Sequence, residues 1–304
     1  MKAVVCKKSG GPDVLEFTEV QKPYPQSGEI LIKVSASSVT RGDVHLRRMS
    51  RLILVPIGLI FGFKPMKITG VEFAGTVEEI GSEVTRFRKG DRVFGTATGL
   101  VFGGNAEYLC IPEKHKLGVI AHIPDNVTFE DAAVTPVGAM TAHFILNKVK
   151  ITRGMNVLVY GASGSVGSFA VQLAKNYGAN VTGVCSKANL QMVKDMGASN
   201  VLDYAADDFC TKPGPEYDVI FDAVGKISRS RCVRMLKSTG RFLSVKYPTK
   251  EKSETLEYIA ELMGDGRLKP FIDQEFTLDQ IKEAHAYVEK GHKRGNVLVR
   301  NCQS

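Results

Sequence analysis

The residues best arranged for chemistry are Gly161-Ala162-Ser163-Gly164-Ser165-Val166-Gly167. Ala162, Gly164 and Gly167 follow the spacing A-x-G-x-x-G. In such a turn the first small residue lets the chain reverse tightly and the second lets backbone amides reach a pyrophosphate. The third lets a helix pack on a strand. The setting carries as much weight as the pattern. The turn follows Asn156–Tyr160, a continuous apolar run of the kind found in a parallel strand buried on both faces. It opens a helix with Val166, Phe169, Ala170, Leu173, Ala174 and Tyr177 on one face, stopped by Gly178. The helix start adds unpaired N–H groups and a positive dipole end, which suit the phosphates of a dinucleotide.

The end of the next strand selects which dinucleotide. An acidic side chain about 20 residues on would hold a ribose 2′-hydroxyl. Cys185-Ser186-Lys187 stands there instead. A lysine and a hydroxyl can bind a 2′-phosphate that a carboxylate would repel, so the sequence predicts NADPH over NADH.

These groups need a scaffold, and the chain supplies alternating strands and helices from Met155 onward. Strands are expected at Asn156–Tyr160, Asn180–Cys185, Asn200–Leu202, Asp218–Phe221 and Arg241–Val245, with helices between them. That order makes a doubly wound parallel α/β sheet of the Rossmann type. The first 125 residues or so read differently, as short β-branched strands between Gly- and Pro-rich turns, which argues a small barrel or sandwich. The change falls near Pro124-Asp125-Asn126. Further on, Thr277-Leu278-Asp279-Gln280 is a capping box opening a last helix, and Asn296–Val299 is a closing strand. The expected division is a β-rich domain over 1–125, completed by 265–304, and a dinucleotide domain over 126–264.

Composition narrows the class. A chain of 304 residues with 43% hydrophobic and 24% charged residues is an ordinary globular protein of about two domains. Its net charge of +8 invites a nucleic-acid reading, but the cations are spread out, with clusters no longer than Arg47-Arg48 or Lys293-Arg294. Nucleic-acid binding is therefore not the expected function. The N-terminus has no secretory pattern, and the six cysteines form no C-x-x-C pair, which fits a reducing, cytoplasmic setting. The longest apolar run, Leu52–Phe63, is broken by Pro56, Gly58 and Gly62 and is too short to anchor the chain stably in a membrane. It reads as a lid over a pocket, as core, or as a shallow membrane contact flanked by Arg47, Arg48, Arg51 and Lys64.

With these motifs in view, the sequence resembles the medium-chain dehydrogenase/reductase superfamily, in its zinc-independent quinone oxidoreductase-like branch. Further markers are Val71-Glu72-Phe73-Ala74-Gly75, Lys89-Gly90-Asp91-Arg92-Val93, Pro136–Ala142 and Gly295-Asn296-Val297. The resemblance implies a GroES-like fold for the β-rich domain, a homodimer, and a further strand after residue 245. Here Lys246–Ser253 leads almost directly into a helix at Glu254–Met263. Zinc-using members of the superfamily take a cysteine from an early loop and a histidine and glutamate from a Gly-His-Glu motif. This chain offers Ser38–His45 without a cysteine and Gly70-Val71-Glu72 without the histidine, and it lacks the four-cysteine lobe. A zinc tetrahedron is then short of donors, and no zinc is expected. Without that Lewis acid, the expected acceptor is a small apolar one that delocalises charge itself, a quinone or an α,β-unsaturated carbonyl.

By the same resemblance, Thr141 contacts the cofactor near the nicotinamide, and Ser163, Gly164, Ser165 and Val166 line the diphosphate. Ser186, Lys187 and Tyr204 surround the 2′-phosphate. Ala223, Val224 and Gly225 lie beside the ribose, Phe242 and Ser244 near the carboxamide, and Asn296 approaches from the tail. Thr40, Asp43 and His45 occupy the substrate loop, where His45 could give up a proton near neutral pH. Two alternatives remain: an NADP-dependent alcohol or aldehyde dehydrogenase, disfavoured by Val71, and an NADPH-binding module with an RNA-binding or structural role.

Overall fold

The computed structural model describes residues 1–304 except 51, 52, 54, 57, 58, 61–66, 100–102, 115, 116, 207–215 and 302–304. The chain divides into two compact units. Met1–Pro136, Glu251–Gly264 and Ile272–Ser304 form one; Val137–Lys250 and Asp265–Phe271 form the other.

The first unit is strand-rich, as its turns and β-branched runs require. Strands β1 (Lys2–Cys6) and β2 (Leu15–Glu19) pair antiparallel. Strands β3 (Glu29–Ser38), β4 (Glu72–Ile80), β5 (Arg92–Thr96), β6 (Tyr108–Pro112) and β7 (Ile120–His122) build the main sheet, with β3 paired to both β4 and β6. Alternate residues of these strands fill one core: Ile30, Ile32, Val34, Phe73, Val77, Val93, Leu109 and Ile111. Helix α1 (Arg41–Arg48) leaves the end of β3, and α2 (Phe129–Ala133) starts on Thr128, whose hydroxyl accepts from the Asp131 amide at 3.1 Å.

In the second unit, after α3 (Pro136–Leu146), five parallel strands alternate with helices. They are β8 (Asn156–Tyr160), β9 (Asn180–Cys185), β10 (Asn200–Asp203), β11 (Tyr217–Asp222) and β12 (Leu236–Ser244). Helices α4 (Ser165–Asn176), α5 (Leu190–Asp195) and α6 (Arg229–Cys232) form the crossovers. The sheet order β10-β9-β8-β11-β12 reverses direction between β8 and β11, the switch point where open α/β sheets bind ligands. Strand β12 starts five residues earlier than the apolar run predicts. Tyr217 pairs with Leu236 and Val219 with Arg241, so the polar stretch between them is a register shift within one strand.

The tail rejoins the first unit. Strand β14 (Asn296–Arg300) pairs antiparallel with β3 and parallel with β13 (Ile272–Thr277), a strand too polar to stand out in the sequence. Helix α7 (Ser253–Gly264), placed by its sequence position with the dinucleotide domain, belongs to the strand-rich unit. Glu257 pairs with Arg86 at 2.7 Å, and Asn126 donates to the Gly264 carbonyl at 2.8 Å. Of the 52–63 run, much lies outside the described residues. Within it Ile53, Val55, Leu59 and Ile60 are exposed, Leu59 by 81%, so these four are not core.

Helix α8 (Ile281–Glu289) packs Ile281, Ala284 and Val288 against Val4, Leu15, Val39, Val44 and Val297. It also buries His285 completely, with neither ring nitrogen bonded. Burial, and then the Arg47 charge, pushes the imidazole from its ordinary 6.5 down to about 3. The folded state therefore refuses a proton that the unfolded chain takes up. The associated stability is complete above pH 6.5 or so and is lost as the pH falls toward 3. Urea unfolding at pH 7 and pH 5 is expected to show a loss of about 2 kcal/mol that His285→Leu abolishes. Equal pH dependence in the two proteins would refute this.

Candidate functional site

The glycine-rich turn has the geometry its spacing implies. Gly161 directly follows β8 with φ +78°, and its amide and that of Ala162 donate to the Val184 carbonyl at 2.9 and 3.0 Å. A Cβ on Gly161 would stand 2.1 Å from Val224, and one on Gly167 would stand 2.1 Å from the Gly161 carbonyl oxygen. Gly164 differs. It is extended (φ −81°, ψ 176°), and a Cβ there would meet only the Gly161 oxygen at 3.5 Å. Gly164 therefore has no internal packing reason to be glycine. A ligand approaching the backbone supplies one. Gly164 also N-caps α4 without a side-chain hydrogen bond, so no side chain competes for the first helical amides. These features fit a dinucleotide diphosphate.

The neighbouring expected residues gather around this turn. Asn189 donates to both Ser163 Oγ and Ser186 Oγ at 3.1 Å, tying the turn to the end of β9. Lys187, next in chain, is exposed. The Tyr204 amide donates to the Cys185 carbonyl at 3.1 Å, which brings the backbone of this half-exposed residue to the end of β9. At the switch point the Ala223 amide donates to the Tyr160 carbonyl at 3.0 Å. Asp222, fully buried, accepts from the amides of Val224 (3.1 Å), Gly225 (2.8 Å) and Ile227 (3.2 Å) and thereby shapes that loop. The Val245 amide donates to the Asp222 carbonyl at 3.0 Å, which brings Ser244 alongside. Thr141 follows Gly138 by one helical turn, and a Cβ on Gly138 would lie 2.5 Å from Ser165 Oγ, so this face of α3 meets the start of α4. Asn189 and Asp222 act through hydrogen bonds that the glycine pattern does not encode.

In the strand-rich unit, Thr40 and Asp43 close on each other. Thr40 Oγ1 accepts from the Asp43 amide at 3.1 Å and donates to Asp43 Oδ2 at 2.5 Å, and the Thr40 amide donates to the same oxygen at 2.8 Å. The other carboxylate oxygen accepts from the Val71 amide at 3.1 Å. Burial raises the Asp43 pKa against these hydrogen bonds, which lower it. Both oxygens are committed, so Asp43 pins α1 to the segment before β4. His45, two residues further along α1 and so on its opposite side, is exposed. Asn296 is buried at the start of β14.

The same unit holds a group that the sequence pattern does not single out for chemistry. Lys293 donates to the Gly295 carbonyl. Burial pulls its pKa down to about 8, and the Glu72 and Asp273 carboxylates resist this. Glu72 is buried and accepts from the Ser38 hydroxyl. Position 293 stood out only as part of a short basic cluster, and folding alone brings it near Glu72. Zinc does not fit these donors, because Val71 is apolar and Ser38 is engaged with Glu72. Among the described residues no group of three or more His, Cys, Asp or Glu is placed to hold a metal ion.

The fold and this turn together define a dehydrogenase of the nicotinamide type. Family models agree. An alcohol dehydrogenase GroES-like domain matches residues 26–125, and zinc-binding dehydrogenase models match 165–267 and 246–299. The chain belongs to the medium-chain dehydrogenase/reductase superfamily, in its quinone oxidoreductase-like branch. It is 30% identical to "Quinone-oxidoreductase QR1, chloroplastic" of Triphysaria versicolor over 95% of each chain. It is 29% identical to "NADPH-dependent alkenal/one oxidoreductase, chloroplastic" of Arabidopsis thaliana over 98% of this chain and 79% of the relative. Among solved structures, the quinone oxidoreductase from Coxiella burnetii superposes with TM-score 0.86 at 28% identity, covering 99% of both chains. No helix among the described residues is long and apolar enough to cross a membrane.

Proposed function

We propose that this protein is an NADPH-dependent reductase of quinones or α,β-unsaturated carbonyls that works without zinc. One observation carries the cofactor half of the reading: the Ser163–Asn189–Ser186 bridge, which joins the diphosphate turn to a β9 end bearing Lys187 and no carboxylate. The printed names of the quinone and alkenal oxidoreductase relatives support the acceptor half. When bound, the reduced nicotinamide supplies the hydride. This chain's residues do the rest. Gly164 and the first amides of α4 hold the diphosphate, and Ser186, Lys187 and Tyr204 hold the 2′-phosphate. Thr141, Phe242 and Ser244 orient the reactive ring. A conjugated acceptor spreads the incoming charge over its own carbonyl system, which needs a proton at oxygen or carbon. Thr40 and Asp43 spend their polar atoms on each other and on Val71. His45 is left as the exposed group of that loop from which a proton can come.

The test is an NADPH-oxidation panel of a quinone, an alkenal and a simple aldehyde, run on wild type and Lys187→Ala with metal content measured on the same samples. The expected result is turnover of the first two acceptors by metal-free protein. Lys187→Ala should lower kcat/KM for NADPH roughly tenfold to a hundredfold, the worth of one charge-assisted hydrogen bond, and leave that for NADH unchanged. Turnover of only the aldehyde, or activity proportional to bound zinc, defeats the reading.

A further inference from the structure

The net charge is distributed in a way that short clusters do not reveal. From Ala223 to Lys250 there are eight Lys and Arg residues and no Asp or Glu, so this one stretch accounts for the whole +8 of the chain. The signal is the absence of acids, which a search for adjacent cations passes over. By unit, Val137–Lys250 with Asp265–Phe271 carries 17 Lys and Arg against 8 Asp and Glu, and the remainder carries 23 against 24. The excess therefore belongs to the unit with the dinucleotide turn.

Most cations of the stretch also face solvent, as action at a distance requires. Lys226, Arg229, Arg231, Arg234, Arg241, Lys246 and Lys250 are exposed. Lys237 is engaged by Asp218, at 2.9 and 2.8 Å from its two oxygens. Buried Asp222 spends its carboxylate on backbone amides and offers no countercharge at the surface. Both ends of the stretch lie at the carboxyl edge of the sheet, where β11 and β12 end. A Cβ on Gly225 would come within 3.3 Å of the Lys246 side chain. Arg229 is four residues from Gly225, so chain length alone keeps it within about 14 Å of that loop.

We infer that residues 223–250 form a cationic face that captures NADPH faster than NADH, so that part of the cofactor preference is long-range and kinetic. The inference rests on the cofactor reading above and adds a second component to the contact made by Lys187. A 2′-phosphate adds about −1.5 to −2 charge to the dinucleotide. A field from one-signed charge raises encounter rates by about 10- to 1,000-fold, more for the more highly charged ligand, and salt screens it beyond about a Debye length.

The experiment is stopped-flow association of NADPH and NADH at about 20 and 500 mM salt, conditions that span the screening range. It compares wild type, the triple variant Arg229→Glu/Arg234→Glu/Arg241→Glu, and the matching Gln triple. In wild type, kon for NADPH should fall about tenfold with salt and kon for NADH distinctly less. The Glu triple should lose about tenfold in NADPH kon at low salt, and the Gln triple less. Both should coincide with wild type at high salt, with koff and kcat unchanged. A Glu triple with wild-type kon at low salt overturns the inference, as does a deficit that persists at high salt. A wild type that favours NADH even at high salt, where steering is screened, defeats the underlying cofactor reading instead.

Discussion

Gly167→Ala is expected to disable the dinucleotide unit, whereas Gly164→Ala leaves it folded and unable to hold NADPH well. The added methyl at 167 would stand 2.1 Å from the Gly161 carbonyl oxygen and 2.9 Å from the Ala162 Cα. Both neighbours are backbone, held by the hydrogen bonds that the Gly161 and Ala162 N–H groups donate to the Val184 carbonyl, so neither can turn aside as a side chain would. Relief requires α4 to move off β8, and we expect about 3 kcal/mol or more of destabilisation, at the upper end for overpacking. At Gly164 the same methyl makes ordinary contact at 3.5 Å, and the backbone there is one any residue adopts. Stability should change by less than about 1 kcal/mol, the scale of an N-cap substitution. The diphosphate meets that methyl instead, and Kd for NADPH should rise about thirtyfold, equivalent to about 2 kcal/mol. Urea unfolding and fluorescence titration on both variants separate the two outcomes. Similar stability losses at 164 and 167 would show that the turn is a packing feature and no ligand cradle.

The second large effect is expected at Arg47, which joins three distant parts of the strand-rich unit. Its side chain is fully buried. Nε donates to the Gly10 carbonyl at 3.1 Å and Nη2 to Glu289 at 2.8 Å. Removing the guanidinium strands a partly buried carboxylate and a carbonyl, and Arg47→Ala should cost about 3 kcal/mol. Arg48 still reaches Glu289 at 2.6 Å and keeps the loss toward the lower end of the range for buried pairs. Arg47→Lys should recover little, because one ammonium cannot reproduce a fork that serves both acceptors. Arg47→Met/Glu289→Met should be more stable than Arg47→Met alone, since the only charge then left without its partner is that of Arg48, which is exposed to water. A cost below about 1 kcal/mol for Arg47→Ala would mean the pair is solvated in the folded protein.

How much of this was legible beforehand varied with the kind of interaction. The five parallel strands and the A-x-G-x-x-G turn could be read directly. An apolar run buried on both faces, a 3.6-residue stripe and a small-residue turn are all local patterns, and each specifies its own element. The β12 boundary was not legible, because Ser238, Thr239 and Gly240 look like a loop and belong to the strand only because Leu236 and Arg241 on either side pair with β11. The exposed side chains of Ile53, Val55, Leu59 and Ile60 overturn the core reading for those four, since hydrophobicity alone does not say whether a surface exists to cover them.

The site divides the same way. The sequence by itself determined the class of cofactor, because a diphosphate cradle depends on where side chains are missing and on the helix that follows, all within a dozen residues. It also determined that the zinc donors are incomplete, since Val71 cannot ligate in any fold. Tertiary structure alone decided that Asn189 ties Ser163 to Ser186, that Asp222 shapes the 223–227 loop, and that Asp43 is committed to Thr40 and Val71. It alone brought Lys293 near Glu72 and buried His285 without a partner. These are hydrogen bonds and desolvation effects between groups far apart in the chain. Their strength depends on distance and on the exclusion of water, quantities that exist only once the chain has folded.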